Sequence, residues 1–265
     1  MSLLAIEGLT IAFQGEGVAT TVVDALDLAL EANVSSKHVS FLETGRNRPS
    51  REMILRLSQA LDVPLRDRNL LLDCAGFAPA YRESKLESPG ADQVAEAIGR
   101  ILDQQEPCPA IILDADWMLL RQNGGADALG QMFLPGIPAV GANALDILFS
   151  SDGLQPFIVN WEQLSATILM RLYRDTLGPA ASEHSQALLA RLLSMPTAPA
   201  NWRDVAAELP TGPVVEMVLR KDDFRLSFFT TITTFGTAQD ITLQELRIES
   251  WFPSDEVTRA LCESW

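Results

Sequence analysis

Apolar residues in the first third of the chain recur at helical spacing and predict short helices separated by breaker residues. One helical pattern runs from Val22 to Ala32, and a second runs from Ser35 to Thr44. A third begins at Ser50 and continues to the break at Pro64, and a fourth covers residues 66–75. This part of the chain is therefore expected to be entirely helical.

The two helices around the loop ANVSS have the layout of a helix-turn-helix, in the segment ALEANVSSKHVSFLETGRNRPS. Ser35 is placed to cap the second helix, and Gly45 suits the left-handed position that ends it. At 100° per residue, Val39 and Leu42 point to one side and Lys37 and Ser40 to the other. Such a unit lays its second helix in the major groove of DNA.

The stretch at 83–90 is polar and rich in helix breakers, which is typical of a hinge, and a helix leading to Pro107 follows it. Beyond Pro107 the pattern alternates between strands and helices. This mixture predicts an α+β module with a single sheet. The predicted elements are a hairpin of 110–113 with 118–120, helices at 161–175 and 183–195, a hairpin of 214–219 with 226–235, a strand at 244–252, and a closing helix from Ser254.

The composition agrees with two folded domains. The chain has 265 residues, of which 47% are hydrophobic and 21% charged. It contains no apolar run long enough for a membrane span, and its first residues are not a convincing export signal. Its three cysteines are far apart, without metal-ligand spacing. A cytoplasmic protein with no membrane partner is expected.

The formal net charge of −15 argues against a protein that coats nucleic acid, because such binding depends on neutralising phosphates. Charge is distributed unevenly, however. Residues 37–68 carry seven basic residues against four acidic ones. An acidic chain with one local basic patch favours a site-specific DNA-binding protein.

The predicted second helix and the loop after it supply the candidate DNA contacts. Hydroxyl and ammonium groups can reach base edges, and arginines beyond the helix suit phosphates. The alternatives are an ordinary solvated face and pairing of the arginines with Glu43 or Glu52. Phe41 could meet a thymine methyl or pack on a neighbouring loop. The candidates are Ser35, Ser36, Lys37, Ser40, Phe41, Arg46, Arg48 and Arg51.

Two segments resemble a known family. Residues 26–83, with FLETGRNRPSREMILRLSQAL and LLLDCAGFAPAYRE, are similar to the Xre/Cro-type helix-turn-helix of bacterial regulators. Residues 107–262, with PAIILDADWMLLRQN, DGLQPFIVNWE and LSFFTTITTFGTAQDITLQELRIESWFPSDE, resemble the MmyB-like, PAS-related sensor module. The resemblance implies a cytoplasmic transcription regulator that binds double-stranded operator DNA as a homodimer and senses an apolar, fatty-acid-like small molecule.

Residues 1–24 depart from that family, which begins with a basic first helix, since they contain no Lys or Arg. The segment LLAIEGLTIAF followed by VVDALDLAL resembles the opening of an ABC-transporter ATPase. No G-x-x-x-x-G-K-[ST] loop follows, so ATP binding gains no support. Either another segment replaces the missing helix, or this N-terminus weakens DNA binding.

In the second half, Trp117, Asn123, Phe228 and Phe229 are the candidates for lining a ligand pocket, because alternate strand residues can face a cavity. Plain core packing is the alternative reading for all four. Catalysis has little support: the chain has two histidines and no nucleophile motif, and its paired aspartates lie in predicted turns. A protein that is not an enzyme and holds no metal or cofactor is expected.

The sequence thus predicts a multi-domain chain, with an all-α helix-turn-helix DNA-binding domain followed by an α+β PAS-like sensor domain. We expect a sequence-specific regulator whose ligand changes the spacing of two recognition helices. The competing hypothesis is a ligand-binding or protein-interaction module with an impaired DNA reader. The predicted parts are an atypical segment at 1–24, the DNA-binding domain at 25–82, a linker helix at 83–106 and the sensor at 107–265.

Overall fold

The computed structural model describes residues 25–84, 92–177, 183–208 and 215–265. The predictions for residues 1–24 and for most of the hinge at 83–90 lie outside these ranges. The chain divides into two compact units: Met1–Glu83 with Ala238–Gln244, and Ser84–Thr237 with Glu245–Trp265. The expected combination of an all-α unit and an α+β unit is confirmed.

The described part of the first unit begins with four helices; Ser35 caps the second as predicted, and Ser50 caps the third, whose start was predicted there. Ser35 Oγ accepts a hydrogen bond from the His38 amide at 3.2 Å, and Ser50 Oγ accepts one from the Met53 amide at 3.2 Å. These caps satisfy amides that have no partner within the helix. The helices are α1 (Ala25–Glu31), α2 (Ser36–Glu43), α3 (Arg51–Ala60) and α4 (Leu65–Cys74).

A small apolar core holds α1, α2 and α3 together. Leu28 and Ala29 of α1 are buried against Val39 of α2, and Leu57 and Leu61 pack on this cluster. Val39 is 3% exposed, so the inner side of α2 is closed to solvent. The helix therefore has one buried and one outward side, as its periodicity predicts.

The second unit contains a five-stranded antiparallel sheet in the order β2-β1-β5-β4-β3. Both predicted hairpins are confirmed, with ends shifted by up to two residues: β1 pairs with β2, and β3 with β4. The last strand occupies the middle of the sheet, paired with β1 and β4. The strands are β1 (Ala110–Leu113), β2 (Leu119–Gln122), β3 (Glu216–Lys221), β4 (Phe224–Thr233) and β5 (Arg247–Pro253).

Several helices of the second unit were not predicted, namely α6, α7 and α10. The strand expected from Gln244 begins instead at Arg247, because residues 241–245 form a short helix, where the Leu243 amide donates to the Asp240 carboxylate at 3.4 Å. The helices of the second unit are α5 (Asp92–Gln105), α6 (Gly124–Phe133), α7 (Ala144–Phe149), α8 (Trp161–Asp175), α9 (Glu183–Leu193), α10 (Trp202–Glu208) and α12 (Glu256–Cys262), whereas the short helix α11 (Ile241–Glu245) has its first four residues in the first unit.

Both faces of the sheet contribute to buried cores. On one face, Ile112, Leu246 and Ile248 are at most 1% exposed, and α5 packs against β1. On the other face, two apolar clusters form around Phe149 and Phe228. Among the helices of the described ranges, none combines the length and apolar character needed to cross a bilayer.

Candidate nucleic-acid interface and ligand cavity

The outward side of α2 carries the polar groups expected to meet DNA. Ser36, Lys37 and Ser40 are exposed, whereas Val39 on the opposite side is buried against α1. Ser35 is also exposed but uses its hydroxyl to cap the helix. A short helix backed by a second one, with free hydroxyl and ammonium groups outward, can enter a major groove.

Phe41 lies half-buried on the same side, between two cations. The Lys37 Nζ atom is 5.6 Å and the Arg46 Cζ atom 5.9 Å from the centre of its ring. The Phe41 carbonyl accepts hydrogen bonds from the amides of Arg46 and Asn47, at 2.8 and 3.1 Å. The ring of Phe41 thus lies beside two cations at distances that allow cation–π contact, and its backbone ties the helix end to the following loop.

Three further cations follow the helix. Arg46, Arg48 and Arg51 are exposed, and none of them forms an ion pair within the described ranges, where Glu52 instead pairs with Arg56 at 2.5 Å. Gly45, at φ +67°, provides the left-handed turn that leads the chain into this loop. We refer to Lys37, Arg46, Arg48 and Arg51 as the basic face. Its charges are available to an anionic partner.

A cavity of about 480 Å³ lies in the second unit, between the sheet and helices α6, α7 and α8. This volume falls within the range of roughly 300–1,000 Å³ that small-molecule sites occupy. Its lining is predominantly apolar, with side chains such as Ile111, Leu129, Leu145 and Ile168. The polar members of the lining are Gln122, Thr167, Arg171, Thr230 and Glu249.

Trp117 lines this cavity and has an unusual backbone and unusual neighbours. Its φ of +64° lies in the left-handed region that favours glycine. The Arg171 guanidinium is 5.2 Å and the Arg247 guanidinium 4.8 Å from its ring. A large side chain held in a costly conformation beside a cavity is typical of a functional position.

The other three candidates for pocket lining lie outside the cavity lining. Asn123 is buried and caps α6, where its Oδ1 accepts hydrogen bonds from the amides of Ala126 and Ala110. Phe228 lies on the cavity side of β4 but is fully buried in the neighbouring apolar cluster. Phe229 points to the other face and stacks on Phe252, with ring centres 5.3 Å apart.

The middle strand β5 directs three polar side chains to the cavity side, and sequence analysis did not identify them. Residues 247, 249 and 251 alternate with the buried Ile248 and Ser250. Glu249 and Trp251 line the cavity, and Arg247 stacks on Trp117 at its edge. The signal was available: the segment LRIESW alternates apolar or small residues with polar or aromatic ones.

Burial shifts the pKa values of two ionisable side chains on β5. Burial raises the pKa of Glu249 above its ordinary value, although Arg171, the Thr230 hydroxyl and the Trp251 indole favour its charged form. Burial lowers the pKa of Arg247, and the nearby Arg171 lowers it further. Perturbed groups beside a cavity are common at ligand sites.

The predicted turn role of the paired aspartates is confirmed for Asp114, whose carboxylate accepts the amides of Asp116 and Met118 at 2.9 Å each. In the described ranges, no three His, Cys, Asp or Glu side chains are grouped so that they could hold a metal ion. The two sites that the structure presents are an exposed basic face in the first unit and an apolar cavity in the second.

Comparison with known families supports the same division. The family model described as the MmyB-like transcription regulator ligand binding domain matches residues 94–264. A helix-turn-helix family model matches residues 25–67. No curated protein matches the chain. The first match contains every residue that lines the cavity, and the second contains the whole basic face.

Proposed function

Because the chain belongs to the MmyB-like transcription regulators, defined by their ligand-binding domain, we propose that it binds a specific operator as a homodimer and that a small molecule in the cavity changes its affinity for that operator. The chain is a transcription regulator with a helix-turn-helix and a ligand-binding domain. The proposal adds sequence specificity, dimerisation and the link between ligand and DNA.

The observation that carries the DNA-binding part is the exposed side of α2. In this proposal Ser36, Lys37 and Ser40 contact base edges, where lysine can donate to guanine O6 and N7 and serine can donate or accept. Phe41 orients Lys37 from beside it. Ser35 holds the helix start through its cap and presents that start to the DNA backbone.

The arginines of the basic face are assigned to phosphates. Arg46 and Arg48 lie in the loop after α2, and Arg51 is the first residue of α3. The free amides at the start of α3 can share a phosphate with the Arg51 guanidinium. These contacts position the protein without reading sequence. They also offset the repulsion that a chain of net charge −15 meets at DNA.

Dimerisation follows from the geometry of operators. A single short helix reads only a few base pairs, so helix-turn-helix proteins pair two of them about one DNA turn, roughly 34–36 Å, apart. A ligand alters affinity only if it binds one arrangement of the two recognition helices better than another.

The segment Ala238–Gln244 is our candidate for linking ligand to DNA. It belongs to the first unit, whereas the strands that precede and follow it in sequence, β4 and β5, belong to the second. Those strands supply Thr230, Ile232 and Glu249 to the cavity lining. A ligand that shifts either strand therefore acts on a segment covalently joined to both.

Within the first unit this segment has a structural role in the helical bundle. Gln244 Oε1 accepts a hydrogen bond from the Leu65 amide at 2.7 Å, at the start of α4, where Pro64 provides no side-chain cap. The Ile241 amide donates to the Arg82 carbonyl at 2.9 Å. We infer that displacement of the segment uncaps α4 and so changes the DNA-binding unit.

Footprinting of the purified chain on genomic DNA tests the proposal, followed by anisotropy titrations on the protected fragment. Lys37→Ala should reduce affinity for that fragment by about tenfold or more, from the loss of one base-reading contact. Exposed Arg220 of β3 provides a control, since Arg220→Ala should leave affinity unchanged. No salt-sensitive protection of any fragment would refute the operator proposal.

That negative outcome would favour a second candidate function, a ligand-binding or interaction module with an inactive DNA reader. The observation that favours this candidate is the composition of residues 1–24, which contain no Lys or Arg. The cavity would then be the active part of the chain, and ligand binding would persist without DNA binding.

A further inference from the structure

Two of the three cysteines, which are far apart in the sequence, meet in the second unit. Cys108 lies between α5 and β1, and Cys262 is the last residue of α12. Both belong to the apolar cluster around Phe228, in which Cys108 is partly buried and Cys262 is 1% exposed. Their thiols are close enough for a hydrogen bond between the two side chains. The fold therefore forms a thiol pair that the spacing of the cysteines does not predict.

The two thiols differ in access and in acidity, which gives them different roles. A small oxidant can reach the sulfur of Cys108, whereas Cys262 is closed off from solvent. Burial raises the pKa of Cys108, and it raises the pKa of Cys262 to about 12. The hydrogen bond between them partly offsets the rise for Cys108 and adds to it for Cys262, because the Cys262 thiol donates to the Cys108 thiolate. Cys108 is thus the nucleophile of the pair.

Charged side chains beside Cys108 come from both neighbouring helix ends. Besides burial, Glu263 raises the pKa of the Cys108 thiol, Arg259 lowers it and Glu106 raises it. The thiol is therefore mostly protonated near neutral pH, and the pair reacts slowly. Thiolates of high pKa are also poor leaving groups, so a disulfide between these two sulfurs resists thiol attack once it has formed.

We propose that Cys108 and Cys262 form a reversible intramolecular disulfide when the protein meets hydrogen peroxide. The Cys108 thiolate attacks one peroxide oxygen, the O–O bond breaks, and the leaving hydroxide takes up a proton, so that Cys108 becomes a sulfenic acid. The Cys262 sulfur then attacks the Cys108 sulfur, the S–O bond breaks, and the hydroxyl departs with the Cys262 proton as water. Two thiols are oxidised to one disulfide, and the peroxide is reduced to two waters.

The disulfide cross-links the C-terminal helix to the start of the sheet. Residue 108 precedes β1, and α12 packs against β4 and β5, where the Thr258 hydroxyl accepts the Ser227 amide at 3.0 Å. The link closes a loop that spans nearly all of the matched ligand-binding domain, residues 94–264. A cross-link over a long loop restricts the unfolded chain, so the oxidised form should unfold at a higher temperature. Where a glutathione pool keeps thiols reduced, such a disulfide is transient and reports oxidation.

Peptide mapping of the full chain before and after treatment with hydrogen peroxide tests the proposal. Trypsin places the three cysteines on separate peptides, 69–82, 101–121 and 260–265. Without a reducing agent, the oxidised protein should yield 101–121 joined to 260–265 and a single-chain band in denaturing electrophoresis, and dithiothreitol should release both peptides. Absence of this linked peptide, a link that includes Cys74, or a link between two chains would overturn the proposal.

Two serine variants separate the roles of the cysteines. Cys262→Ser should prevent the link and stop the reaction at the Cys108 sulfenic acid, which dimedone traps. Cys74→Ser, in the first unit, is the matched control and should leave the link unchanged. Peroxide should raise the midpoint of thermal unfolding of the Cys74→Ser protein by roughly 5–15 °C and should not raise that of Cys262→Ser. An equal increase in both would contradict the cross-link.

The pH dependence of the reaction provides a further readout. Between about pH 7 and pH 8.5 the rate of disulfide formation should rise about tenfold per pH unit, because the thiolate fraction of Cys108 grows in that proportion below its raised pKa. A rate independent of pH would contradict attack by the thiolate. This inference does not depend on the proposed function: absence of operator binding in the footprint leaves the disulfide detectable, and absence of the disulfide leaves the regulator intact.

Discussion

Replacing Arg48 by alanine isolates one cation of the basic face. Arg48 is exposed in the turn between α2 and α3, and it forms no ion pair within the part of the chain that the structure describes. The substitution therefore removes no ion pair from the described part of the first unit. Any change in DNA binding then reports the contact with DNA itself.

The expected magnitude follows from the number of phosphates that the arginines can reach. Arg46, Arg48 and Arg51 give three contacts in each protomer and six in a homodimer. With about 0.9 counterions released per phosphate, the slope of log K against log salt is about −5 for the wild type. Arg48→Ala removes two contacts, which reduces the slope to about −4.

Fluorescence anisotropy with a labelled operator duplex and a scrambled duplex, between about 50 and 200 mM salt, measures both slopes. We expect the variant to lose affinity for the two duplexes by similar factors, because a phosphate contact carries no sequence information. Arg220→Ala should match the wild type. An unchanged slope, or a loss confined to the operator, would refute the assignment of Arg48 to a phosphate.

Three further predictions concern the cavity, the linking segment and the N-terminus. Because burial raises the pKa of Glu249, its contribution to stability is fully present below the ordinary value of 4.5 and is lost as pH rises through the raised value. Glu249→Gln should therefore raise the midpoint of thermal unfolding more at pH 8 than at pH 5, whereas the exposed Glu208→Gln should not; equal effects at both pH values would contradict the pKa shift. Gln244→Ala should cost about 1 kcal/mol through loss of the α4 cap. It should also abolish the effect of cavity ligand on operator affinity without abolishing operator binding, and an intact ligand effect would rule out this route. Removal of residues 1–24 should weaken operator binding in anisotropy titrations if that segment braces the helix-turn-helix, and tighter binding after removal would contradict a bracing role.

The helix-turn-helix was predictable because its determinants are local. The caps at Ser35 and Ser50, the left-handed Gly45 and the buried Val39 are each specified by residues within one or two turns. Cap and period signals of this kind act over short stretches of chain. The outward direction of Lys37 and Ser40 then follows from helical geometry alone.

The helix α6 could not be predicted as easily, since glycines obscure its start. Gly124 and Gly125 suggest a turn in the sequence. In the structure a Cβ atom on Gly125 would lie 2.2 Å from the Pro107 carbonyl oxygen, so the glycine allows a close approach of distant backbone. Asn123 then serves as the cap of the helix. An Asn just before an apolar run is a cap signal that the ligand interpretation overlooked.

The cavity could not be predicted from the sequence, because it is formed by segments that are far apart along the chain. Strand alternation shows that residues 247, 249 and 251 share a face, but not whether that face is filled or hollow. The answer depends on α6, α7 and α8, which precede β5 by seventy residues or more in the sequence. The position of β5 in the middle of the sheet is equally non-local, because strand order arises from pairing with β1 and β4.

Placing an arginine and a glutamate on the middle strand of a sheet carries a physical cost that identifies the site. Both faces of this sheet are covered, so Arg247 and Glu249 are largely shielded from bulk water, and burial shifts the pKa of each toward its neutral form. Apolar residues at the same positions would pack without this penalty. Arg247 is compensated by an ion pair with Asp175 at 3.5 Å, whereas Glu249 lies within the cavity lining, so the Glu249 carboxyl is the ionisable group of β5 that a ligand can meet.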